Sequence, residues 1–113
     1  MRHDVRRHVE PLSEAVFLIL VSLSGEPRHG YAILKDVEAL SNERIRMSTG
    51  TLYGALRRLL EDRCIERFRE QDAPRGRQAY RLSSMGRKVL SGEVARMKAL
   101  TRLASERLAR CEG

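Results

Sequence analysis

No segment limits the fold more than residues 15–21, Ala-Val-Phe-Leu-Ile-Leu-Val. Ser13 can cap a helix that begins at Glu14, and a helix over this run is apolar all round. Such a helix has to be covered on more than one side. The fold therefore needs a second layer, from later elements of the chain or from another subunit. The run is too short for a bilayer span, which takes about 20 residues. Arg2, Arg6 and Arg7 precede it, but it lacks a small-residue cleavage site. The reading is no signal peptide, no membrane and a cytoplasmic location.

The material for that second layer follows in order. Gly25-Glu26-Pro27 ends the first helix. A second helix is expected from about His29 to Leu40, with Ile33, Leu34, Val37 and Leu40 at core spacing. Ser41-Asn42-Glu43 is a short polar link, and Arg44-Ile45-Arg46 suits a brief extended stretch. Ser48 reads as the N-cap of a third helix through about Asp62, whose Leu52, Ala55, Leu56 and Leu59 fall on one face. Two strand-like runs, 65–70 and 78–82, flank a turn-rich loop over 71–77. In the second run Tyr80 and Leu82 share one face, and Arg77 and Arg81 the other. Ser83 can cap a last helix to about Arg110, weakened locally by Gly86 and Gly92.

This order is mainly α with a small β-hairpin: a winged helix-turn-helix plus a long C-terminal dimerisation helix. With 113 residues there is room for one compact domain and an appended element. The expected division is an N-terminal arm at 1–11, the winged helix-turn-helix domain at 12–83 and the dimerisation helix at 84–113. Aromatic residues make up 4% and Trp is absent, so the core must be aliphatic.

Charge narrows the partner. The net charge is +7, which favours an acidic partner such as nucleic acid. From Arg44 to Leu82 there are ten arginines against five acids (Glu61, Asp62, Glu66, Glu70, Asp72), so +5 of the +7 falls on this half. With its leucines inward, the third helix points Gly50, Gly54 and Arg57 outward, flanked by Tyr53 and Arg58. Glycine lets another surface come close to the backbone. Arg57 can reach guanine edges or a phosphate, and Tyr53 a phosphate or a thymine methyl. The helix start offers backbone N–H groups, with Ser48, Thr49 and Thr51 as hydroxyl donors and Arg46 as a charge. In the hairpin loop, Pro74, Arg75, Gly76 and Arg77 suit a wing laid along a DNA backbone or into a minor groove. The plain structural alternative is that the glycines relieve crowding and the arginines are solvated.

On the last helix Leu90, Val94, Met97, Thr101, Ala104 and Leu108 alternate spacings of four and three, widened by Leu100 and Leu103. The partner for this seam is the same helix or the first helix of a second subunit; the alternative is packing back on its own domain. A twofold dimer predicts recognition helices about 34 Å apart and an inverted-repeat operator. Phe17, Met97 and Leu100 are candidates to line an effector pocket across that dimer.

No nucleophile–base pair, phosphate loop or metal set is present, so neither an enzyme nor a cofactor or metal is expected. Cys64 and Cys111 form no pair and share no ligand spacing with His3, His8 or His29. Cys64 reads as structural and Cys111 as incidental, with redox sensing the alternative. The functional alternative is a winged-helix module that binds protein instead of DNA.

At several of these residues the chain resembles the PadR family of bacterial transcriptional regulators. His29-Gly30-Tyr31 is similar to the family's opening of the second helix. Ser48-Thr49-Gly50-Thr51-Leu52-Tyr53 is similar to its recognition-helix signature, with Leu56-Arg57-Arg58-Leu59 in register. Gly76-Arg77, Tyr80-Arg81-Leu82-Ser83 and Gly86 match its wing return. The resemblance covers roughly residues 12–90. It implies a repressor of the short type, a homodimer joined through a single C-terminal helix, with Tyr31, Tyr53 and nearby basic residues on double-stranded DNA. It also implies response to small hydrophobic or aromatic compounds. The chain departs from the pattern at Gly54, where the family has Pro, and at Arg63-Cys64, where it has Gly-Leu and hence an easy left-handed helix stop.

Overall fold

A computed structural model describes residues 11–69 and 78–112. Its elements run α1 (Glu14–Leu23), β1 (Arg28–His29), α2 (Gly30–Leu40), α3 (Thr49–Glu61), β2 (Ile65–Phe68), β3 (Ala79–Leu82) and α4 (Ser84–Glu112). The caps sit where the sequence places them. Ser13 Oγ accepts from Val16 N at 3.2 Å, and Ser48 Oγ accepts from Thr51 N at 3.1 Å. Ser83 Oγ accepts from Gly86 N at 2.9 Å at the start of α4. The last helix continues to Glu112, past the expected Arg110.

The apolar first helix receives its cover from α2, β3 and α4. Ile19, Leu20 and Leu23 are buried, together with Ile33, Leu34 and Val37 of α2 and Leu52, Leu56 and Leu59 of α3. Fully burying an aliphatic side chain contributes about 1.5–3 kcal/mol, so these residues are the main stabilising cluster. The cover is incomplete: Ala15, Val16, Phe17, Leu18 and Val21 remain half-buried. Leu40, expected in the core, is 47% exposed. It occupies the last turn of α2, where the chain leaves through Asn42 and Glu43, both with positive φ.

The expected hairpin is a three-stranded antiparallel sheet of order β1-β3-β2. Arg28 and His29, the latter read as the start of the second helix, pair with Tyr80 and Ala79. His29 then caps α2 through its backbone alone. The longer strands are also shorter than expected, ending at Phe68 and beginning at Ala79. Arg44-Ile45-Arg46 lies in no strand.

The joint between α3, the sheet and α4 is built around Ser83. Its N–H donates to Cys64 O at 3.0 Å, and its hydroxyl donates to Arg63 O at 2.6 Å. Arg63 holds φ 62°, the left-handed conformation for which the family pattern supplies glycine. Gly86, read as a weak point in the helix, is a close approach: a Cβ there would lie 2.8 Å from Leu82 Cδ1 and still nearer the Cys64 carbonyl oxygen. Burial pushes the Cys64 thiol up, with the Asp62 charge adding to it, and so away from a reactive thiolate.

Further along α4, Glu93 is only 7% exposed. It accepts from Leu12 N at 3.0 Å and from Arg96 at 3.0 and 2.6 Å. The Arg96 hydrogen bond, aided by that of Leu12, holds its carboxyl below the ordinary value against the opposing effect of burial. Beyond this latch, residues 98–111 are all exposed.

Candidate nucleic-acid interface

Helix α3 turns its leucines into the core and leaves the opposite face open. Gly50 and Gly54 are exposed, and a Cβ at Gly54 would meet nothing within 4 Å. Arg57 and Arg58 are exposed and carry no ion pair among the described residues. Arg46 is exposed and paired with Glu43. Arg44 forks onto Glu14, with one arm at 2.7 Å. That fork ties the segment before α3 to the start of α1.

At the start of α3 the hydroxyls are not equivalent. Ser48 directs its proton at Thr51 Oγ1, 3.0 Å away, while also capping the helix. The hydroxyls of Thr49 and Thr51 donate to no acceptor among the described residues. The exposed N–H groups of this turn carry the positive end of the helix dipole.

Two tyrosines flank the interface. Tyr31 is 66% exposed at the start of α2, with Lys35 Nζ 5.5 Å from its ring centroid. Tyr53 is 45% exposed. It leans over Gly30, whose Cβ, if present, would lie 2.8 Å from Tyr53 Cζ. This contact between α2 and α3 joins residues far apart in sequence, and no periodicity signals it. Tyr80 of β3 is close enough for the Tyr53 phenol to raise its pKa, second to burial, with Arg67 pulling the other way.

On the sheet, Arg81 bonds Glu66 at 3.0 Å and lies 5.3 Å over the Phe68 ring, while Arg67 bonds Gln78 at 3.2 Å. Arg75 and Arg77, the proposed wing tip, lie outside the described residues.

The seam residues of α4 divide in two. Leu90, Val94 and Met97 are half-buried, as is Phe17 of α1. Leu100, at 50%, and Leu108, at 64%, stand exposed with Thr101 and Ala104. An open groove of about 770 Å³ lies between α1, α3 and α4, lined by Leu12, Val16, Ala55, Leu59 and Val89 and also by Gly54, Arg57 and Arg58 of α3. Phe17, Met97 and Leu100 do not line it.

Among the described residues no His, Cys, Asp or Glu group could hold a metal ion. No described helix is long and apolar enough to cross a membrane.

Comparison with known proteins finds one architecture repeatedly. The model of the PadR-like transcriptional regulator family matches residues 19–92. A 37.1 kDa protein in transposon TN4556 of Streptomyces fradiae is 36% identical over 90 residues, 79% of this chain but 24% of that protein. The chain thus spans about a quarter of that curated relative. A PadR family transcriptional regulator from Eggerthella lenta is 29% identical, with a TM-score of 0.61, over 82% of this chain and 80% of its own. One from Clostridium difficile superposes with a TM-score of 0.70 at 21% identity, over 85% and 99% of the two chains. PadR of Bacillus subtilis, solved in complex with operator DNA, has a TM-score of 0.64 at 19% identity over 75% of this chain and 48% of its own. At the identities of the last two the likeness is one of fold.

Proposed function

Because this chain belongs to the PadR-like family of transcriptional regulators, we propose that it binds duplex DNA sequence-specifically through α3 and the wing. It acts as a homodimer held by α4 on an inverted-repeat operator and represses transcription there. The observation that carries this reading is the outward face of α3: open backbone at Gly50 and Gly54 beside Arg57 and Arg58, which have no ion-pair partner among the described residues. An exposed pair of unneutralised guanidiniums next to bare backbone suits a groove lined with acceptors and phosphates.

Within this reading Thr49, Thr51 and the N–H groups around them hold a phosphate at the helix start. Arg57 reaches a base edge, and Arg46 exchanges Glu43 for a phosphate. Tyr31 lies along the DNA backbone. Arg75 and Arg77 follow the wing into an adjoining groove. The exposed half of the α4 seam, Leu100, Thr101, Ala104 and Leu108, meets a second subunit. A small hydrophobic or aromatic effector enters beside Phe17, Met97 and Leu100 once that subunit covers them.

The test is fluorescence anisotropy with a duplex spanning the promoter of the chain's own gene, against a scrambled duplex, across a fourfold range of salt. The expected result is preference for the promoter and a loss of orders of magnitude in affinity as salt rises. Arg57→Gln should weaken promoter binding by roughly ten- to a hundredfold if Arg57 reads a base. Failure to bind either duplex at low salt overturns the reading and leaves a protein-binding winged helix.

A further inference from the structure

Gly30 is the first residue of α2 and is buried. Nothing in its backbone calls for glycine, since its φ lies outside the left-handed range. On helix propensity alone, alanine is preferred at such a position. The reason for glycine is space. The Tyr53 ring occupies the volume that a side chain would take, with Oη closer still than the 2.8 Å of Cζ. Two further connections meet at this point. His29, the preceding residue, pairs with Ala79 of β3, and Arg28 pairs with Tyr80. Tyr80 lies near Tyr53. The start of α2 therefore touches the middle of α3 on one side and pairs with the central strand of the wing on the other.

We infer that Tyr53 is a positioning residue: its ring, seated on Gly30, sets the angle of α3 against α2 and the wing. This rests on the DNA-binding reading above and deepens it. It changes the role of a residue that sequence alone places directly on DNA. An added methyl at Gly30 would meet the outer end of the half-exposed Tyr53 ring, so the ring has to swing off its seat to make room. Arg57 lies one turn beyond Tyr53 on α3, so a tilt at Tyr53 displaces Arg57 from the base edge it reads. Phosphate contacts tolerate such a tilt better than bidentate base contacts, so the loss falls on specificity.

The experiment measures anisotropy with the promoter and scrambled duplexes for the wild type, Tyr53→Phe, Tyr53→Ala, Gly30→Ala and the double variant Gly30→Ala/Tyr53→Ala. Thermal unfolding is recorded for each. Tyr53→Phe keeps the ring but loses the Oη nearest Gly30, and should lose clearly less promoter affinity than Tyr53→Ala. Tyr53→Ala and Gly30→Ala should each lose roughly tenfold or more on the promoter, in the range of a lost base contact, and little on scrambled DNA. The double variant should be no worse than Tyr53→Ala, because without the ring the added methyl meets nothing. Additive losses in the double variant overturn the inference, as does Tyr53→Phe binding as poorly as Tyr53→Ala; that second result assigns the loss to the hydroxyl and not to the ring. If Tyr53→Ala does not fold, Gly30→Ala against Tyr53→Leu/Gly30→Ala supplies the same comparison, with rescue expected. If the wild type shows no preference for the promoter, the DNA reading fails separately. The positioning claim is then judged by amide chemical shifts. Gly30→Ala must move those of α3 and β3 when Tyr53 is present and leave them unmoved when it is not; the same shifts in both backgrounds overturn it.

Discussion

Helix α3 and the second half of α4 carry the same kind of message in sequence: a stripe of leucines along one side of a helix. Their fates differ. Leu52, Leu56 and Leu59 are at most 5% exposed, while Leu100, Leu103 and Leu108 are 50–64% exposed. An apolar stripe states that a helix requires cover; it does not say which molecule supplies it. For α3 the cover is α2 and the sheet. For α4 beyond Glu93, the proposed cover is a second copy. The two stripes should therefore respond differently to substitution.

Leu56→Ala should have the largest effect. It empties a site that is 1% exposed and should cost about 2–5 kcal/mol in urea unfolding. A cost below about 1 kcal/mol would erase the contrast between the stripes. Leu100→Glu should next weaken self-association by roughly ten- to a hundredfold, about 1.4–2.8 kcal/mol, in sedimentation equilibrium. Unfolding measured at protein concentrations where the variant is monomeric should remain cooperative. Unchanged association in both Leu100→Glu and Leu108→Glu would remove the stripe from the interface.

Glu93→Ala probes the border between the two regions. It strips the partner from Leu12 N and from Arg96 and should cost about 1–3 kcal/mol. The sign with pH follows from the lowered carboxyl. The stabilisation is present above the ordinary value of 4.5 and is lost as pH falls through the lower folded value. The alanine variant should lack that part of the acid response. The smallest effect is expected from Arg63→Gly, which relieves a positive φ at the end of α3. It should stabilise by roughly 0.5–1 kcal/mol in the same urea titration, the relief being partly offset by the greater freedom of glycine in the unfolded chain.

What the sequence made legible was local. The caps Ser13, Ser48 and Ser83 and the leucine spacing of α3 depend on residues within a few positions of one another, and each stands where that logic puts it. The left-handed stop at Arg63 was legible in the same way, as a departure from a pattern that has glycine there. The remaining features depend on partners distant in sequence. Arg28-His29 has no alternation to read and becomes a strand only because β3 lies beside it. Leu40 keeps the helical period but occupies the turn where the chain departs. Glu93 is a carboxylate on an otherwise apolar stripe, and its reason is Leu12, 81 residues earlier. For the interface, the outward face of α3 was readable from geometry, whereas the seat of Tyr53 on Gly30 was not.

The Glu93 latch also makes α4 a lever. Residues 94–112 extend about 28 Å past it at 1.5 Å per residue, so a tilt of roughly 10° about the latch carries the far end about 5 Å. That is comparable to one helical turn, the step by which packed elements change register. In the proposed dimer, with a second subunit gripping the free end, a small shift of Leu12 against Glu93 would become a large change in the distance between the two copies of α3.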